Sequence, residues 1–269
     1  MEENIITSVQ NARIKHVVAL QQKSSLRREE GLFVVEGQRE IEHCLACRYE
    51  VVEVYKRSRE SGVRREVEYL VTPQVYEKMA YRGSTEGIIA VVKSKDHSLS
   101  SLLTPHSSLL EKDNPLVVVL ESVEKPGNLG AILRSADAAN VDAVIVCDPL
   151  TDLYNPNLIR ASIGAVFTVP TVVCTSQECI TFLKERKINI LTAQLQDSYE
   201  YYDYDMTGPT AIVMGTESTG LTQQWREAAD AHIRIPMLGR LDSLNVSVSA
   251  AILMFEAVRQ RKVKGKSEQ

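Results

Sequence analysis

The chain is poor in the features that would mark a secreted, membrane-spanning or NTP-hydrolysing protein. Its 269 residues hold five cysteines, an odd number in a chain of this size, which argues against a disulfide framework. There is one C-x-x-C, Cys44 and Cys47, with no second such pair and no histidine pair to complete a ligand set, so it reads as a buried or incidental pair and no metal is expected. No apolar run approaches the length needed to cross a bilayer, and residues 1–10 carry Glu2 and Glu3 in place of the basic start and apolar stretch of a secretion signal. The expected location is the cytoplasm, without a membrane partner. Two nucleotide signatures are missing as well. GNLGAI does not supply a G-x-G-x-x-G after a strand, and no G-x-x-x-x-G-K-[ST] run is present, so NTP phosphates have no candidate loop. Internal repeats and low-complexity tracts are also absent.

What the chain does have is apolar content, 44 % of residues, enough to fill two cores at this length. Residues 32–35 and 51–55 read as strands flanking a helix over 38–46, followed by a strand at 69–71, a helix opening at Thr72 and Pro73, and a strand at 88–92. That alternation makes a small α/β unit over 29–93. Residues 1–28 read as a helical extension, and 94–114, rich in Ser, Thr and Pro, as a linker. From 115 to 264 the pattern is again α/β, with residues 265–269 a disordered tail. Val117 to Leu120 and Ala211 to Met214 are unbroken apolar runs, as expected of strands buried on both faces of a parallel sheet.

Three runs at strand ends carry the candidate chemistry. In KPGNLGAILR (125–134) the turn residues Pro126, Gly127, Asn128 and Gly130 precede a helix expected over 131–140, and Arg134 falls one turn into it. There it can point over the carboxyl ends of the strands, where open parallel sheets bind ligands. VMGTESTGL (213–221) repeats the design, with Glu217 inside a glycine-flanked turn ahead of a helix over 221–229. Alone, Glu217 reads equally as a cap favoured by the helix dipole. IPMLGRLDSLNVSVSAA (235–251) passes from a strand at 232–235 through a polar loop into a long helix, with Ser243 and Asn245 at its start. In isolation these two are ordinary N-cap residues. Three such loops in one apparent sheet are a stronger signal than any one of them.

In this order the three runs resemble the signature motifs of the SpoU/TrmH branch of the SPOUT RNA methyltransferases, over roughly residues 115–262. The runs GLFVVEGQREIEHCL and VTPQVYEKMAYRGSTEGIIAVV resemble the substrate-binding domain that often precedes it. The resemblance implies a SPOUT-type parallel sheet with a carboxyl-terminal trefoil knot, preceded by a small α/β RNA-binding domain, and assembly as a homodimer. It implies S-adenosyl-L-methionine (AdoMet) as cofactor, held by Gly215, Ile235 and Leu244, with Thr192, Ala193, Met214 and Met237 lining the pocket. It further implies methyl transfer to a ribose 2'-hydroxyl of RNA, ribosomal RNA more than transfer RNA. Arg134, Asn128, Glu217, Ser243 and Asn245 are the catalytic set. The chain departs from the common pattern at Glu121, where many relatives have Asp, and in GTESTG, where Asn or Ser commonly follows the first glycine and another glycine follows the glutamate.

Net charge is −4, so an RNA partner has to be sought in the distribution of charge. The segment 56–65 holds five basic residues and one acid. Lys56, Arg57, Arg64 and Arg65 from it, with Arg27 and Arg28, are the candidate RNA contacts. The basic tail, Arg259 to Lys266, reads as a solvated face. SYEYYDYDM (198–206) reads as a connecting loop whose carboxylates repel phosphate. Set against an active methyltransferase is a protein that binds RNA through a degenerate methyltransferase domain without chemistry. Retention of Asn128, Arg134, Glu217, Ser243 and Asn245 together favours the enzyme.

Overall fold

The computed structural model describes residues 5–58, 67–81, 87–103, 112–216 and 219–267. The chain divides into two compact units, Met1–Asp96 with Asp152–Thr168, and His97–Thr151 with Val169–Gln269.

The first unit holds a five-stranded sheet of β1 (Ile5–Ile6), β2 (Leu32–Glu36), β3 (Val51–Lys56), β4 (Glu68–Val71) and β5 (Ile88–Lys93), in the order β1-β4-β3-β5-β2. Its directions are mixed. β3 pairs parallel with β4, while β5 runs antiparallel to both β2 and β3. The helix Ala12–Gln22 starts where the Asn11 side chain accepts from the Arg13 amide, and its Ile14, Val17 and Leu20 are fully buried. The amino-terminal segment is therefore part of this core rather than an appended arm: it packs with Val34, Tyr55, Tyr76 and Ile89. A second helix, Ser24–Glu30, ends at Gly31, whose φ of +63° turns the chain into β2. Residues 152–168 join this unit because Tyr154 stacks on Phe33 at 4.0 Å between centroids and Phe167 adds a third ring. Cys44 is buried on the helix Gln38–Ala46, and Cys47 caps its end, as the bland reading of that pair requires.

The second unit holds β6 (Leu116–Glu121), β7 (Ala143–Cys147), β8 (Thr171–Cys174), β9 (Asn189–Ala193), β10 (Tyr199–Glu200), β11 (Thr210–Met214) and β12 (Ala231–Arg234). Their order is β10-β12-β9-β11-β6-β7-β8, and every pairing is parallel. Val117 to Leu120 are fully buried, matching the unbroken apolar run. The helix after β6 starts earlier than its sequence implied, at Pro126, and runs to Ala138. Proline at the first helical position has its φ preset and lacks only an amide that would be unpaired there, so the apparent turn residues are the first turn of the helix. Part of the 94–114 stretch packs into this core: Leu102, in the turn Leu99–Leu103, is buried beside Val172 and Ile180. Tyr199–Glu200, expected as loop, pairs with β12.

Candidate functional site

Parallel strands deliver their carboxyl ends to one edge of a sheet, and three of the loops there enclose a cavity of about 550 Å³. Ala193 at the end of β9, Met214 at the end of β11 with Gly215 after it, Ile235 and Met237 after β12, and Leu244 ahead of the last helix all line it. Six of the seven residues expected to hold a cofactor are thus brought together. The seventh, Thr192, is not among the lining residues: it is fully buried within β9, and its Oγ1 lies 2.6 Å from His232 Nδ1 on β12. Strand alternation turns its side chain away from the edge that Ala193 faces.

Gly215 has a steric reason to be glycine. A Cβ built there would stand 2.3 Å from the carbonyl carbon and oxygen of Gly220, because the loop folds back on itself. The Gly220 amide donates to the Thr216 carbonyl at 3.1 Å, and Gly220 itself sits at φ +67°. The other end of the loop is tied to β6. Glu121, 2 % exposed, accepts from the Thr222 amide at 2.8 Å and from Thr222 Oγ1 at 2.6 Å. The glutamate at this position, one methylene longer than aspartate, therefore fastens the first strand to the start of the helix Gln223–Ala228.

The first and third runs meet through their asparagines. Asn245 Nδ2 donates to Asn128 Oδ1 at 3.2 Å, while Asn245 Oδ1 accepts from the Ser247 amide at 2.9 Å and from Ser247 Oγ at 2.6 Å. Asn245 is both the cap of the helix Val246–Ser267 and a link to the first run. Asn128 lines a smaller cavity of about 120 Å³ that shares Gly215, Thr216 and Val246 with the large one. Ser243 and Asn245 line the large cavity, Ser243 Oγ bonding Asp242. Arg134 is not brought to either cavity: it is exposed on the helix Pro126–Ala138. Glu217 lies outside the described residues.

Among the polar side chains of the large cavity that sequence reasoning missed are Gln194, Arg226 and Arg234. Arg234 bonds the Ser198 carbonyl. Gln194 Oε1 and Arg226 Nε have no hydrogen-bond partner among the described residues, so both are available to a bound molecule. Gln194 directly follows Ala193, and extending the strand-end rule by one residue would have found it. Arg226 lies on a helix outside any motif, and nothing in the sequence marks it.

The basic candidates divide. Arg28 and Arg57 are exposed, with the Arg57 guanidinium over the Tyr76 ring. Arg27 and Lys56 are corrected to structural residues, 4 % and 3 % exposed. Arg27 is bound to Asp152 Oδ2 and to the carbonyls of Leu20 and Gln21, and Lys56 Nζ sits 3.0 Å from Glu68. A buried cation without such partners would be costly, which is why each is paired inside rather than turned to phosphate. Arg64 and Arg65 lie outside the described residues. The tail is not wholly solvated either: Arg261 donates to the carbonyls of Asn114, Pro115, Met206 and Gly208.

Comparison with known proteins places this geometry. Residues 115–255 match the SpoU rRNA Methylase family, and residues 11–90 match the MRM3-like substrate binding domain. The 23S rRNA (guanosine-2'-O-)-methyltransferase RlmB of Vibrio vulnificus (strain CMCP6) is 38 % identical over 196 residues, 71 % of this chain and 77 % of that protein. A crystal structure of an RNA 2'-O ribose methyltransferase is 36 % identical with a TM-score of 0.81, covering 96 % of this chain and 99 % of that one. The SpoU methyltransferase AviRb from Streptomyces viridochromogenes, in complex with AdoMet, is 27 % identical with a TM-score of 0.84, covering 94 % and 99 %. Three loops closing one cavity, the asparagine link between the first and third runs, and a match over more than half of the chain agree: the chain belongs to the SpoU rRNA methylase family.

Proposed function

We propose that this protein transfers a methyl group from AdoMet to a ribose 2'-hydroxyl of RNA, with ribosomal RNA as the substrate class. The observation that carries the reading is the cavity of about 550 Å³, lined by residues of the second and third runs and joined to the first through Asn128. Its size and its mixture of apolar walls with a few directed polar groups suit a ligand of this kind. Gly215, held close to the backbone of Gly220, gives the tight loop that a cofactor contacted through main-chain atoms requires. Ala193, Met214, Ile235, Met237 and Leu244 supply the walls. Bound AdoMet supplies a methyl group already activated on a sulfonium, so the chain has to align the acceptor oxygen and handle one proton.

A guanidinium offers five N–H donors in a planar fork, so Arg134, which lies outside both cavities, acts from the RNA side as a phosphate clamp and as a stabiliser of the developing alkoxide, with the proton leaving to phosphate or water. Asn128, Ser243 and Asn245 orient the ribose. A homodimer completes the picture: Leu238 and Leu241 on the third run are 97 % and 80 % exposed, and Val248 and Phe255 on the last helix are exposed as well, apolar side chains that a second copy would cover. The carboxyl-terminal trefoil knot is supported by strand order, since β12 lies beyond β9 while the helix that follows it packs back on Pro126–Ala138. Among the described residues no helix is long and apolar enough to cross a membrane, which agrees with action on RNA in the cytoplasm.

The test combines calorimetric titration of AdoMet with single-turnover methyl transfer to rRNA, the product mapped as a 2'-O-methyl nucleotide. Arg134→Lys and Arg134→Ala should keep AdoMet affinity and lose most of the turnover. AdoMet binding without methyl transfer to any RNA would instead favour a recognition protein with a degenerate domain.

A further inference from the structure

Three of the five cysteines converge at one point that the proposed reaction does not use. Cys147 ends β7 and Cys174 ends β8, and the two are register partners across the ladder. Cys179 reaches the same point from the helix Ser176–Glu185. The three Sγ atoms all lie within 4.8 Å of one another. Cys147 and Cys179 are buried and Cys174 is half-buried, giving a thiol trio with one side toward solvent. β7 and β8 lie on the opposite flank of β6 from β9 and β12, whose loops form the large cavity.

Burial alone explains a thiol, since free cysteine packs as a small apolar residue. It does not explain the charge around this trio. Glu121, the register partner of Cys147, is 2 % exposed, and Asp148 follows Cys147 directly. The Ser176 hydroxyl lies 2.6 Å from Asp148 Oδ2 and 3.4 Å from Glu121 Oε1, which draws both carboxylates to one spot in the segment between Cys174 and Cys179. Among the described residues neither carboxylate has an ion-pair partner. Three soft donors beside two carboxylates that are hydrogen-bonded but hold no ion pair make a place where a cation would be stabilised and an anion repelled.

We propose that Cys147, Cys174 and Cys179 form a binding site for a thiophilic d¹⁰ cation of the zinc(II) class. With zinc–sulfur bonds of about 2.3 Å, the sulfurs of a tetrahedral site stand somewhat under 4 Å apart, so the trio needs only a contraction of about 1 Å. On binding, each S–H bond breaks, its proton passes to water, and each sulfur forms one bond to the metal; nothing is oxidised or reduced. Water on the Cys174 side takes the fourth position. The inference does not depend on methyl transfer, because the site shares no residue with the cavity.

Cadmium(II) is the probe, titrated into the reduced full-length chain and followed by the ultraviolet thiolate-to-cadmium charge-transfer band, with zinc(II) affinity measured by competition against a chromophoric chelator. One equivalent should bind with a Kd below about 1 µM. Cys174→Ser and Cys179→Ser should each weaken binding at least about a hundredfold, while Cys44→Ser/Cys47→Ser leaves it unchanged. Alkylation of the wild-type protein followed by mass spectrometry provides a check that needs no variant to fold: cadmium should protect the half-buried Cys174 and leave the half-buried Cys47 reactive. The site is disproved by the lack of a saturable band in the reduced, folded protein, by a band that survives in Cys174→Ser/Cys179→Ser, or by protection confined to Cys44 and Cys47.

Discussion

The two sheets of this protein differ in direction, and that difference decides where a site can form. In the second unit every strand pairing is parallel, so all carboxyl ends share one edge and three loops far apart in sequence close a common cavity. In the first unit β5 runs against β2 and β3, so its carboxyl strand ends are divided between two edges. Its charged residues show the same contrast. Arg27 and Lys56 are drawn inside to partners, whereas the cavity of the second unit keeps Gln194 Oε1 and Arg226 Nε without partners. Among the described residues, buried polar atoms without partners occur in both units, Glu36 Oε1, His43 Nδ1, Thr72 Oγ1 and Tyr76 Oη in the first among them, but those of Gln194 and Arg226 belong to residues that line the large cavity.

Two glycines, one per unit, give the largest test of this contrast. Gly215→Ala puts a Cβ 2.3 Å from Gly220 backbone atoms, so the loop must open and AdoMet affinity should fall at least about a hundredfold, roughly 2.7 kcal/mol. Gly31→Ala meets only Ser94 Oγ at an ordinary 3.5 Å. Its φ of +63° costs about 1–2 kcal/mol of stability, yet calorimetry should show unchanged AdoMet affinity. Equal losses of affinity in the two variants would mean that the cavity depends on both units alike.

How far each unit could be read in advance follows from the same physics. Strands buried on both faces leave unbroken apolar runs, so β6 and β11 and the loops after them were legible; the family resemblance added the seven expected pocket residues, six of which line the large cavity. Thr192 was misplaced because a motif tells which loop meets a ligand but not the parity of the residue before it. Pro126 to Gly130 looked like a turn because glycine and proline mark both turns and first helical turns. Exposure was the least legible property. Arg27 and Arg28 are adjacent and chemically alike, yet one faces Asp152 across 125 positions of sequence, and no local pattern encodes such a partner. Arg261 likewise looked like part of a solvated tail until four backbone carbonyls were found around it.

Those two arginines supply the next test. Arg27→Met leaves the partly buried Asp152 without its cation and should destabilise the first unit by about 3 kcal/mol in urea unfolding. Arg261→Ala uncovers four partly buried carbonyls at the starts of β6 and β11 and should cost about 2 kcal/mol in the second. Lysine at position 261 should recover little, since it lacks the planar fork. If Arg261→Ala unfolds at the wild-type urea concentration, the contacts it makes do not hold the last helix.

A smaller effect is expected for RNA. Arg28→Glu with Arg57→Glu, both exposed, should weaken RNA binding roughly tenfold at moderate salt and lower the slope of log K against log salt by about 1–2. AdoMet affinity should not change. An unaltered slope would assign these two residues to solvated surface and leave the first unit without a demonstrated phosphate contact.

The smallest predicted change in stability is also the one that separates capping from function at Asn245. Its Oδ1 caps the last helix through Ser247, and its Nδ2 reaches Asn128. Asn245→Ser keeps an acceptor for the cap but is too short to carry a donor to Asn128, so stability should move by less than about 0.5 kcal/mol, while single-turnover methyl transfer falls by a larger factor. Asn245→Ala removes both and should cost about 1 kcal/mol besides. Combining Asn245→Ser with Asn128→Ala closes a double-mutant cycle: if the two asparagines act as a pair, the second change should slow transfer much less than it does alone. Full additivity in rate, with wild-type turnover in Asn245→Ser, would reduce Asn245 to a cap and break the link between the first and third runs on which the proposed site rests.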